Sequence, residues 1–192
     1  FKNFETYVEA FCEHLRRIGL NATVESKKSK RLGDLLSSIL GPVRDVGSVR
    51  IVNRNIDLVE LEWWYMAETG YTRCSYVVQA KVNGLEDRLK AKLKVVRKGF
   101  LRGEVVDFKW KGRELAQVLN GDANLRDKLY RMNIAHWYAP LEIKPEKKHQ
   151  RIRIIPIPTQ GWAPKAAFPS IETFEAYDRI AHHIRSIANV RR

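Results

Sequence analysis

Residues 46–82 read VGSVRIVNRNIDLVELEWWYMAETGYTRCSYVVQAKV, and along this stretch the apolar residues recur at every second position, the period of a β-strand. Val49 and Ile51 open one strand, and Asn53-Arg54-Asn55 supplies turn-forming residues after it. Residues 56–67 continue as a long strand rich in aromatic and branched side chains, closed by Glu68-Thr69-Gly70. A third run, 72–82, places Cys74, Tyr76, Val78, Ala80 and Val82 on one face. Consecutive strands separated by turns this short predict an antiparallel meander.

Outward from this stretch, the C-terminal side continues the alternation. Asn83-Gly84 is a pair suited to a tight turn. Leu89, Ala91, Leu93 and Val95 then alternate with Lys90, Lys92 and Lys94, as expected of a strand with one solvated face. A turn at 99–103 leads to Val106, Phe108 and Trp110, a further alternating strand. On the N-terminal side, Phe4, Tyr7, Val8, Phe11, Cys12, Leu15 and Ile18 follow helical spacing, with Asn3 as N-cap and Gly19 as the residue past the end. Residues 20–24 alternate as a strand, and Leu32, Leu35, Leu36, Ile39 and Leu40 predict a helix that ends at Gly41-Pro42.

The last third returns to helices. Leu115, Val118 and Leu119 precede a break at Asn120-Gly121, and Asp122 is placed to cap a second short helix bearing Leu125, Leu129 and Met132. Leu141 and Ile143, then Ile152 and Ile154, predict a hairpin, which Pro156 and Pro158 would confine to a sheet edge. Residues 164–169 form the best linker, and Ser170 caps a final helix striped by Ile171, Phe174, Tyr177, Ala181, Ile184 and Ile187. The expectation is one α+β domain over residues 1–192: a meander-like antiparallel sheet of about six to eight strands packed against amphipathic N- and C-terminal helices. The helix at 170–190 is either integral to it or appended.

Composition sets the class. With 44% apolar residues in 192, the chain has material for a substantial core. Cys12 and Cys74 are its only cysteines, which excludes a disulfide scaffold and a multi-cysteine metal site and favours a reducing, cytoplasmic compartment. Long uncharged stretches such as 35–43 and 154–164 fall far short of the roughly 20 residues that span a bilayer. The chain begins at Phe1 rather than Met, so the sequence is compatible with a removed N-terminal signal or anchor.

The charge is uneven. Lys and Arg total 35 against 22 Asp and Glu, a formal +13. Residues 81–113 hold eleven basic and four acidic side chains, whereas 56–80 hold one and four. Three clusters stand out as a candidate anion-binding surface: Lys27, Lys28, Lys30 and Arg31; Lys90, Lys92, Lys94, Arg97 and Lys98; and Lys147, Lys148, Arg151 and Arg153. Beside them lies an acidic and aromatic strand with Glu60, Glu62, Trp63 and Trp64. Glu60 and Glu62 are two apart on one strand and so share a face, where they could serve as an acid and base pair or meet the lysine face of 89–95 across the sheet.

No phosphate loop, dinucleotide-binding fingerprint, HExxH, CxxC or GxSxG pattern occurs, so no cofactor, metal or catalytic residue is assigned. His182 and His183 are adjacent on a helix and point about 100 degrees apart, which prevents both from facing one metal. His14, His136 and His149 are scattered, and both cysteines read as small buried hydrophobes. These features fit a non-catalytic binding domain with a polarised basic surface. Its partner would be anionic: a nucleic acid, an acidic protein or an anionic membrane surface. Nonspecific nucleic-acid binding is the first alternative, and an enzyme using Glu60 and Glu62 is the second.

Overall fold

The computed structural model describes residues 4–27, 43–66, 69–98, 104–132, 141–156 and 168–189. In chain order the elements are α1 (Phe4–Arg17), β1 (Ala22–Lys27), β2 (Val43–Ile51), β3 (Leu58–Met66), β4 (Thr69–Gln79), α2 (Glu86–Leu89), β5 (Ala91–Lys98) and β6 (Glu104–Gly112). They continue with α3 (Glu114–Gly121), α4 (Ala123–Arg131), β7 (Leu141–Glu146), β8 (Arg151–Pro156) and α5 (Ile171–Asn189). The eight strands form one antiparallel sheet in the order β1-β2-β3-β4-β8-β7-β5-β6. The expected α+β fold, with an N-terminal and a C-terminal helix on an antiparallel sheet, is therefore observed. The predicted helix at 32–40, the turn at 99–103 and most of the linker lie outside the described residues.

The helix ends follow local chemistry. Gly19 adopts φ +90°, which lets the Gly19 and Leu20 N–H groups donate to the Arg16 and Leu15 carbonyls and close α1 in a Schellman motif. The Asp122 carboxylate accepts from the Leu125 N–H at 3.0 Å and starts α4, and the Ser170 hydroxyl accepts from the Thr173 N–H at 3.2 Å and starts α5. α1 lays Tyr7, Val8, Phe11, Cys12 and Leu15 on β1 and β2. α5 packs on β4, with the Tyr76 ring 4.5 Å from Tyr177 and 6.2 Å from Phe174. The same helix clamps the β2–β3 turn. Asp178 accepts from the Asn55 and Ile56 N–H groups at 2.7 and 3.1 Å, and Arg185 donates to the Asn55 carbonyl and to Asp57.

Two expectations about the sheet are corrected. The meander runs unbroken only from β1 to β4, because Asn83-Gly84 does not fold β5 back onto β4. Instead the chain turns between Val82 and Leu85 into α2. Gln150, in the turn between β7 and β8, accounts for the difference. Its side chain accepts from the Val82 N–H and donates to Asn83, while its carbonyl accepts from the Ala80 N–H. The end of β4 is thereby committed to β8. The β7–β8 hairpin consequently sits within the sheet and not at its edge. Pro156 is compatible with that place because it is the last residue of β8, opposite Leu141 where the pairing ends.

Candidate anion-binding surface

Strand alternation gives the sheet two faces of opposite character. Val59, Leu61, Tyr76, Val78, Leu93, Ile143, Ile152 and Ile154 turn towards the helices and are buried. The other face is mostly polar, with Glu60 and Glu62 on β3, Arg73 and Ser75 on β4, Arg151 and Arg153 on β8, and lysines on β5 and β6, around the buried Val77 and Ile155.

At the centre of this face, Arg73 donates to Glu62 through Nε at 3.0 Å, and Arg153 bonds both Glu62 and the Ser75 hydroxyl. Arg151 spans Glu146 at 2.6 Å and Glu60. The Arg153 Nε, 3.4 Å from Glu60, makes no hydrogen bond. Three arginines thus balance three glutamates, and their side chains are only 12–23% exposed. Burial by itself would raise the Glu62 carboxyl, but Arg73 and Arg153 outweigh it and hold the group below the usual range. Glu60 and Glu62 are therefore met by arginines of β4 and β8. The lysines of β5, four strands from β3 in the sheet, do not reach them.

Towards the β6 edge the face changes. Lys92 stands directly opposite Lys111, and Lys94 opposite Lys109. All four side chains are exposed, and among the described residues none forms an ion pair or a hydrogen bond. Of the nearest carboxylates, Asp107 pairs with Arg126 of α4 at 2.7 Å, and Glu142 of β7 stands directly opposite Lys92 on its other side, two residues from the further lysine Lys144. Directly opposed like charges repel at a Cβ separation of about 5 Å. The arrangement is a ladder of four lysines opposed in like-charge pairs, with Glu142 beside Lys92 as the flanking carboxylate.

The predicted basic residues scatter relative to this ladder. Lys90, Lys92, Lys94, Arg97 and Lys98 do lie on or beside β5. Lys27 ends β1 at the opposite edge of the sheet, and Lys28, Lys30 and Arg31 lie outside the described residues. Lys147 and Lys148 sit in the β7–β8 turn, Lys147 within 3.8 Å of Glu86, while Arg151 and Arg153 belong to the central network. Trp63 and Trp64 take their places in β3 opposite Thr72 and Tyr71. Lys109 and Lys111 were not among the predicted residues. Their alternation with Phe108 and Trp110 was the available signal, because a hairpin centred on 99–103 brings them opposite Lys94 and Lys92.

Beside the ladder, a cavity of about 270 Å³ lies at the outer edge of β6, against α3 and α4. Phe108, Trp110, Leu119 and Leu129 give it apolar walls, and Lys109 belongs both to its rim and to the ladder. The exposed Asp107–Arg126 pair also lines it. Tyr130, 56% exposed, stands edge-on to Phe108 with ring centroids 6.1 Å apart. The strand edge is capped around Trp110: Asn120 accepts from the Trp110 N–H at 2.8 Å and donates to its carbonyl at 3.0 Å, and Asp107 accepts from the Phe108 N–H.

The remaining reactive groups are engaged in structure. Burial pushes the Cys74 thiol up to about 12, and Cys12 is buried in α1 with its thiol also raised. His14 hydrogen-bonds the Pro169 carbonyl at 2.9 Å, and His183 bonds Asp122 at 2.7 Å. No group of His, Cys, Asp and Glu suited to a metal occurs among the described residues, and no described helix is long and apolar enough to cross a membrane. Comparison of the chain with known protein families, with curated proteins and with solved structures found no match.

Proposed function

We propose that this protein is a non-catalytic binding domain that holds an anionic partner through the exposed lysine face of the β5–β6 hairpin. The observation that carries this reading is the register that sets Lys92 against Lys111 and Lys94 against Lys109, with no ion pair to any of the four among the described residues. Such an arrangement costs stability in the free protein, and a polyanion relieves it. Elsewhere on the face the charges neutralise one another, so the ladder is where net positive charge remains for a partner. A role for Glu60 and Glu62 as acid and base is less well supported, because each would first have to part from an arginine.

Retention on a sulfated-polysaccharide column tests the proposal. Substituting Lys92, Lys94, Lys109 and Lys111 together by Gln should lower the eluting salt well below that of wild type. A variant with the exposed Arg54, Lys81, Arg131 and Lys148 changed to Gln has the same net charge and should elute later than the ladder variant. Equal elution of the two variants would reject the ladder as the binding surface.

A further inference from the structure

Resting on that reading, we infer that the partner is a single-stranded nucleic acid, with phosphates along the lysine ladder and an unstacked base in the cavity at the outer edge of β6. Lysines two apart on a strand are about 6.7 Å apart and directly opposed ones about 5 Å, so the ladder offers an extended row of point charges to a repeating anion. Lysine presents no rigid fork, which suits backbone contact without sequence readout.

The cavity makes the inference more specific. Lys109 belongs to both the cavity lining and the ladder, and Phe108 and Trp110 face the helices, so a chain held by its phosphates on the ladder reaches the cavity by turning a base over the β6 edge. Phe108 and Trp110, buried on the helix-facing side of β6, back the cavity, while the Asp107–Arg126 pair in its lining carries a carboxylate acceptor and a planar guanidinium donor for the edge of a base. A base stacked and paired within a duplex cannot enter. An acidic peptide adding as a strand to β6 is disfavoured, because Asn120 occupies both backbone groups of Trp110 and Asp107 the N–H of Phe108. A membrane surface would be met by lysines with Val96 and Val106, 40% and 43% exposed, as the exposed valines among the described side chains of the hairpin.

Fluorescence anisotropy of the full chain decides the matter, with a labelled mixed-sequence single strand, the same sequence as a duplex, and vesicles containing phosphatidylserine as probes. The single strand should bind about tenfold more tightly than the duplex at equal salt. Its log affinity should fall with log salt at a slope of roughly −3 if four phosphates are held. Replacing the four ladder lysines by Gln should abolish this binding. Arg126→Lys keeps the charge and removes the planar fork, so it should narrow the gap between single strand and duplex while leaving the duplex affinity and column elution unchanged. Ladder-dependent binding with no preference for the single strand, or a preference that Arg126→Lys leaves intact, would overturn the base-in-cavity inference and leave the polyanion reading standing. Vesicle binding without nucleic-acid binding would have the same consequence. No ladder-dependent binding to any probe, including the polysaccharide, would defeat both.

Discussion

At Asp122 one carboxylate, almost completely shielded from water, serves three partners: the Leu125 N–H at the start of α4, and Arg179 and His183 from α5. Burial opposes its ionisation, but these hydrogen bonds outweigh burial and hold the group well below the usual carboxylate range. Losing the cap and the charged bonds together in Asp122→Ala should cost roughly 2–4 kcal/mol, read as a lower denaturant midpoint at unchanged slope. Asp122→Asn retains the capping oxygen and should cost less. Because the folded group binds its proton more weakly than the unfolded one, its contribution is fully present above the ordinary carboxylate pKa near 4 and is lost as pH falls towards the folded value. The stability difference between wild type and Asp122→Asn should therefore shrink below about pH 4, and a difference constant down to pH 2 would refute this account. The central network responds differently. Arg153→Met leaves Glu62 and Glu60 short of a partner in a nearly dry setting and should cost about 3–5 kcal/mol. Adding Glu62→Leu restores neutrality, so the double variant should lose less than the sum of the singles in a thermodynamic cycle.

Among the elements, β6 shows how an edge strand is protected. The Asn120 amide takes the place of a neighbouring strand at Trp110, and Gly112 lets α3 start directly from the end of β6. Asn120→Ala removes two hydrogen bonds and should cost about 1–2 kcal/mol, with light scattering that grows with protein concentration as the bared edge pairs between molecules. At Gly112 the backbone has φ +152°, and a Cβ would fall inside contact distance of the Lys90 carbonyl oxygen. Gly112→Ala must therefore move backbone, and thermal unfolding should fall by more than the roughly 1 kcal/mol of an ordinary glycine change. Elements were legible in the sequence wherever their signals were local: the stripe and Gly19 of α1, the Asp122 and Ser170 caps, and the alternation of β3 to β6. The order of the strands was not. It depends on Gln150 reaching the end of β4 across 68 residues of chain, a contact that no periodicity records.

Across the whole molecule, the same distinction between local and distant signals separates what the charge pattern revealed from what it concealed. Sequence showed which strands were basic and which acidic. It could not show that Arg151 and Arg153, counted as anion-binding residues, would spend their charge on Glu60, Glu62 and Glu146, because that pairing needs β8 beside β4. Once those charges cancel, the positive charge on this face concentrates at the β5–β6 end, and a trade-off between stability and binding follows. Lys109→Glu turns one like-charge cross-strand pair into an opposite-charge pair and should stabilise the fold by about 0.5–1 kcal/mol, or about 1–4 °C in Tm at low salt. That gain should fade above roughly 0.5 M salt, where screening removes the repulsion that the swap relieves. The same substitution should lower the salt at which the protein leaves an anionic column. A ladder kept for binding predicts these two effects with opposite sign for function and stability. If Tm rises and elution does not change, the four lysines are a solvated face and nothing more.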